Sequence, residues 1–205
     1  MFEKFKLNKA RKRVVKAIDE TILAKQESIN EISNILIDFK KHNYSKHDSF
    51  LNLCIFSDIV SIDLMILSEK IRIANRPQEK KLYVRFMAVT AIDYLDNIGV
   101  LIGSNCLKEL KNNKMDEFID EFKTIHKKFS TFKNNNQALL RDIRNTTAAH
   151  KTKDALLLHE QIEKLDIEKI YNFGLELIDY TKEFVDLSTK VIYYIVDYMK
   201  EGKKI

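Results

Sequence analysis

The sequence predicts an all-α protein: a bundle of about five or six long helices, with long N- and C-terminal helices. Three observations predict it. Glycine occurs four times and proline once in 205 residues, too few turn formers for the closely spaced turns of a strand-rich fold. Hydrophobic residues make up 45% and charged residues 32%, the balance of a globular chain rather than a disordered one. The apolar residues recur at spacings of three and four, which is the period of a helix face. A chain of this length supports one good core. No linker, repeat or low-complexity stretch divides it, so residues 1–205 read as a single domain.

The first helix is expected from about Lys9 to Lys40. Val15, Ile18, Ile22, Ile29, Ile32, Leu36 and Phe39 form a seam of coiled-coil spacing, with Lys25 in its one gap. "KKHNYSKHDS" reads as a solvated loop in which Ser45 or Asp48 caps the next helix. The second helix, about Ser49 to Ala74, is apolar nearly all round, so it belongs in the middle of the bundle. Pro77 suits the first turn of the third helix, because its missing N–H is not needed there. That helix is expected to end near Gly103, a C-terminal cap. Asp58, Asp63, Arg85 and Asp93 lie on these two central helices and are expected to pair with one another or to reach solvent.

A helix of about four turns comes next in "KMDEFIDEFKTIHKKF", and a fifth is expected to start at Asn134. The stretch from about Lys151 to Leu165 could form a shorter helix. Asp166 then caps the longest one. Its seam runs through Ile170, Phe173, Leu177, Tyr180, Phe184, Leu187, Val191, Tyr194 and Tyr198. At about 1.5 Å per residue this helix is a rod on the order of 50 Å long. Two such seams, one at each end of the chain, suggest that the terminal helices pack along each other or along a second subunit.

The remaining composition bounds the function classes. A net charge of +5 is compatible with an anionic partner without requiring one. Cys54 and Cys106 are too far apart for a CxxC pair and too few for a disulfide framework. The N-terminus has no apolar core of signal-peptide type, and no apolar run approaches the roughly 18 residues of a membrane span, so a cytoplasmic protein without membrane contact is expected. His42, His47 and Asp48 lack the further ligands of a metal set, and no Glu-x-x-His pair occurs. Gly-rich phosphate loops and GxSxG elbows are missing too. No metal and no cofactor is expected.

One stretch departs from the amphipathic pattern. In "RDIRNTTAAHKTKD", residues 141 to 154, no large apolar side chain occurs between Ile143 and Leu156. A bland account exists. Arg141 and Arg144, three apart, could be a solvated helix face, and Asn145, Thr146 and Thr147 could fray a helix end by competing for backbone hydrogen bonds. Yet Thr146, Thr147, Ala148 and Ala149 are small enough to let another backbone approach. On a continuous α-helix Arg144 and His150 would lie about 240° apart, at about 100° per residue. Either the helix breaks at the threonines or each residue works with a neighbour from elsewhere.

The residue set has a chemistry. Arginine is a fixed cation whose planar fork matches phosphate oxygens. Histidine gives or takes a proton near neutral pH. Asparagine can hold a phosphate or a hydroxyl. These groups suffice to cleave RNA through its own 2′-hydroxyl without a metal.

"RNTTAAH", Arg144 to His150, resembles the signature of the HEPN superfamily: an Arg, a polar residue that is often Asn, and a His after four to six residues. "RDIRNTTAAHK" is similar in wording to HEPN-like proteins of bacterial defence and abortive-infection systems. The resemblance implies a helical bundle that dimerises, with the two motifs in a shared cleft. It also implies a metal-independent endoribonuclease of toxin or defence type, with an antitoxin or other defence-system protein as a possible partner. On that basis Arg144 would stabilise the phosphate in the transition state, Asn145 would orient it and His150 would transfer the proton. Arg141, outside the signature, and Lys151 and Lys153 are expected as RNA contacts. One feature differs: toxins of this superfamily that are paired with a nucleotidyltransferase carry a Tyr two residues after the His, where this chain has Thr152. Some HEPN domains are inactive binding modules, so a silent helical RNA-binding or scaffold protein is the alternative.

Overall fold

The computed structural model describes residues 2–148 and 153–200. It is all-α, with no strand among the described residues. Helix α1 spans Phe2–Lys41, α2 Asp48–Ile73 and α3 Pro77–Val100. A π turn, Leu101–Cys106, joins α3 to the short α4, Leu107–Asn112. Helix α5 covers Ile119–Ile143 and runs into a second π turn, Arg144–Ala148. Helix α6 is Ala155–Glu163 and α7 is Ile167–Lys200.

Four helices form a layer in the order α1, α2, α3, α5, and α7 packs across α2, α3 and α5 on one side of it. The all-round apolar α2 and α3 are central, as their composition requires. By length and composition, α2 and the continuous helix Pro77–Asn112 would also pass for membrane spans. The apolar window of α2 is more than half buried inside the bundle, as expected for a core helix. A chain of edge-to-face aromatic contacts holds α7 in place: Phe50 with Phe122, Phe122 with Phe184, Phe129 with Tyr180, and Phe132 with Phe173. Gly174 of α7 lies against the Met87 side chain of α3, where an added Cβ would overlap the sulfur.

The terminal seams do not pack along each other. Helix α1 packs on α2, and α1 and α7 flank a groove floored by Asp58, Ser61 and Met65. The gap at Lys25 has a partner. Lys25 Nζ lies 2.6 Å from Asp58 Oδ1 on α2, and Ser28 donates to Asp58 Oδ2 at 3.2 Å. Asp58 is therefore paired across α1–α2 rather than with the charges of α3.

The sequence misplaces other details. Helix α1 ends in a Schellman turn: Asn43 takes φ 53°, Tyr44 N–H donates to the Phe39 carbonyl at 2.8 Å, and the two rings pack at 4.8 Å. The turn carries His47 inward. His47 is fully buried instead of solvated, and neither ring nitrogen has a hydrogen-bond partner among the described residues. Neither Ser45 nor Asp48 caps α2. The Glu109 carboxylate of α4 does so, accepting from Ser49 N–H at 2.8 Å and Phe50 N–H at 3.0 Å. Gly103 does not end its helix; it sits in the π turn against the His126 ring. The two helices expected on either side of Asn134 are one, because Asn134 and Asn135 lie on its solvent side between the buried Phe132 and Leu140.

Candidate functional site

The unusual stretch begins where α5 widens into the π turn. Thr146 and Thr147 explain the widening locally. Thr146 Oγ1 donates to the Asp142 carbonyl at 2.6 Å, and Thr147 Oγ1 donates to the Ile143 carbonyl at 2.8 Å. Such back-bonding by consecutive hydroxyls competes with the α-helical ladder and bends it. The 240° separation assumed a continuous α-helix, and the chain is not one here. The extra residue of a π turn takes Arg144–Ala148 out of the α-helical phase of α5.

Helix α3 holds the turn from the side. Arg85 donates from a terminal guanidinium nitrogen to the Thr147 carbonyl at 2.9 Å. Thr147 is buried in this contact, so it packs inside its own chain instead of offering a small-residue surface. Two turns further along α3, the Asp93 carboxylate lies 3.4 Å from Arg144. Asp96, three residues on, pairs with Lys133 at 2.9 Å and Arg141 at 2.5 Å. Arg141 and Arg144 thus meet two aspartates that share their own spacing of three. Arg85, Lys133, Arg141 and Arg144 thus gather along α3 with Asp93 and Asp96, and the exposed Asp142 lies between the two arginines of α5, so this edge carries charges of both signs.

Of the expected site residues, Arg144 is half-buried, with 31% of its side chain exposed, and its partner Asp93 is 51% exposed. Asn145 is exposed beside it, and Arg141 is half-buried. Lys153 is exposed just before α6, whose N-terminus is capped by the Asp154 side chain accepting from Leu156 and Leu157 N–H. His150 and Lys151 lie outside the described residues, as does Ala149. The structure therefore brings Arg141, Arg144 and Asn145 to one edge.

Sequence reasoning did not foresee the part played by Arg85, Asp93, Asp96 and Lys133. Arg85 and Asp93 were expected to pair within the central helices or to reach solvent; Asp93 is exposed, and both also meet the π turn. Nothing local announces a partner about fifty residues away. Among the described residues no three His, Cys, Asp or Glu side chains gather as a metal-binding group.

An apolar face adjoins this edge. Ile59 and Ile66 of α2 and Leu82 and Phe86 of α3 are all exposed, with one exposed carboxylate, Asp63, between the two isoleucines on the same side of α2. Tyr94 O–H donates to Ser57 at 3.2 Å and holds the two helices side by side, while α7 reaches them through Thr181 and Gly174 from the other side of the layer. At about 100° per residue, Asp93 falls within about 20° of Phe86 on α3. The carboxylate that meets Arg144 therefore belongs to the same solvent-facing stripe as the apolar patch.

Compared with models of known protein families, with curated proteins and with solved structures, the chain matches none.

Proposed function

We propose that this chain is a HEPN-like, metal-independent endoribonuclease that acts as a homodimer in the cytoplasm, within a bacterial defence or toxin-type system that could include an antitoxin. The observation that carries the reading is the placement of Arg144 and Asn145. They stand at the solvent-facing edge of a distorted helix end, one turn from Arg141, and a single exposed carboxylate engages Arg144. An exposed ion pair is worth about 0–1 kcal/mol. A phosphate that offers Arg144 a charge-assisted, forked contact can displace Asp93 at little cost.

In this reading the RNA 2′-hydroxyl attacks the adjacent phosphorus. A bond forms from the 2′-oxygen to phosphorus, and the bond to the 5′-oxygen breaks. One His150 accepts the 2′-proton, and the second His150 of the dimer protonates the departing 5′-oxygen. Arg144 stabilises charge on the phosphoryl oxygens, and Asn145 orients them. Arg141 and Lys153 contact neighbouring phosphates, and Lys151, next to His150 in the chain, does the same. The products are a 2′,3′-cyclic phosphate and a 5′-hydroxyl. DNA is spared, since it lacks the attacking group. The apolar face of Ile59, Ile66, Leu82 and Phe86 supports dimerisation, because exposed apolar patches of several hundred Å² commonly mark interaction sites.

A second reading has its own observation. Asp93, Asp96 and Arg85 give the polar residues of the motif partners inside the chain, as a purely structural junction between α3 and α5 would. On that reading the protein is a catalytically silent RNA-binding or scaffold protein. Incubating purified protein with labelled single-stranded RNA in EDTA separates the two. Cyclic-phosphate products support the nuclease, and intact RNA retarded on a gel supports the binding module.

A further inference from the structure

We infer that Arg85 is a positioning residue for the Arg144–Asn145 motif, fixing the π turn on which both stand. Among the described residues, three side-chain hydrogen bonds reach the backbone in and around the turn. Two are local: Thr146 to the Asp142 carbonyl and Thr147 to the Ile143 carbonyl. They move with α5 and cannot set its end relative to the rest of the bundle. The third, from Arg85 to the Thr147 carbonyl at 2.9 Å, comes from another helix.

Arg85 is itself placed. Its Nε–H donates to the Lys81 carbonyl at 3.3 Å, and its side chain is half-buried against the turn. Lys81, one turn earlier, pairs with Glu163 of α6 at 2.6 Å, so the same stripe of α3 also ties down the helix downstream of the motif.

π turns are rare because the widened backbone makes poorer use of its hydrogen bonds than an α-helix, and they persist where the surroundings hold them. Without Arg85, the Thr147 carbonyl would be buried with a vacant acceptor site, and relaxation toward an α-helix would be favoured. That change removes one residue from the turn. The chain beyond rotates by about 100° and shifts by about 1.5 Å relative to α5. Lys153 and α6, beyond the turn, would then no longer stand in their present relation to Arg144 and Asn145. Arg85 reaches the motif through the backbone and needs no contact with RNA. Asp93 acts differently: it meets the Arg144 side chain at an exposed, displaceable pair, whereas Arg85 holds the frame.

The catalytic consequence rests on the nuclease reading, so the test has one arm that needs no activity. Arg85→Met removes the donor and keeps the aliphatic stem; Arg85→Lys keeps a cationic donor. In the first arm, amide hydrogen exchange of residues 144–148 should accelerate on the order of 10-fold or more in Arg85→Met and stay near wild type in Arg85→Lys. In the second, kcat for RNA cleavage should fall roughly 10- to 100-fold in Arg85→Met with little change in KM, as small misplacements do. Arg85→Lys should recover most of that loss. Unchanged exchange in Arg85→Met overturns the inference. So does an Arg85→Lys protein as defective as Arg85→Met, which would mark Arg85 as shape-filling only. A wild type that cleaves no RNA sinks the nuclease reading but leaves the exchange arm to decide the role of Arg85.

Discussion

Replacing Lys25 with alanine removes the ammonium that balances Asp58 in the α1–α2 interface. The two side chains are 13% and 3% exposed and 2.6 Å apart. After the change the carboxylate keeps only the Ser28 hydroxyl at 3.2 Å. Breaking a buried pair by removing one partner costs about 3–5 kcal/mol, because the remaining charge stays desolvated. For a chain of this size each kcal/mol moves the unfolding midpoint by roughly 2–4 °C, so a fall of some 6–20 °C is expected. Removing both charges is different. Lys25→Met with Asp58→Leu leaves no stranded ion and should restore stability to within about 1 kcal/mol of wild type or above it. Urea unfolding of the wild type, both single variants and the double variant closes the cycle. The pair sits at the floor of the groove between α1 and α7, so the result also reports whether water reaches it. A Lys25→Ala cost of under about 1 kcal/mol, the value of an exposed pair, would refute the reasoning.

Two further outcomes are expected. Burial, with Lys46 alongside, lowers the His47 pKa from its ordinary 6.5 to about 4, so the unfolded chain takes up this proton first. Stability from this residue is complete above pH 6.5 and is lost as the pH falls from there to about 4, by about 3 kcal/mol in all; urea midpoints at pH 7.5 and 4.5 should differ much less in His47→Phe, and an unchanged difference would mean that other groups set the acid sensitivity. Light scattering coupled to gel filtration should give about twice the 24.1 kDa chain mass, and Phe86→Glu should shift it toward one chain mass, since a carboxylate placed in the apolar patch cannot be desolvated cheaply. A wild-type monomer at micromolar concentration would remove the shared cleft.

Much of the bundle is legible because burial writes its period into the sequence. The all-round apolar α2 and α3 announce a central position, and the gap at Lys25 marks where a charge enters an apolar seam. What stays hidden depends on contacts between distant residues. Asn134 looks like a helix start, yet it and Asn135 are exposed and interrupt nothing when Phe132 and Leu140 keep the buried side continuous. His47 looks like a loop residue because its burial is set by the left-handed turn at Asn43, and a single Asn is a weak signal for that geometry. The candidate site divides in the same way. Arg141, Arg144 and Asn145 stand out by composition, and the paired threonines hint at a distorted helix. The aspartates that meet the arginines and the Arg85 that holds the turn lie on α3, with no local trace of the pairing.

The central claim concerns chemistry at the motif, and one assay meets it most directly. Wild type and His150→Ala are incubated with the same labelled single-stranded RNA in EDTA, and the cleaved ends are identified. Loss of a positioned acid–base group costs about 10²–10⁴ in rate. The wild type should therefore release 2′,3′-cyclic phosphate ends, while a folded His150→Ala protein is nearly silent. Equal cleavage by the two proteins, or cleavage only after a metal is added, would contradict the account.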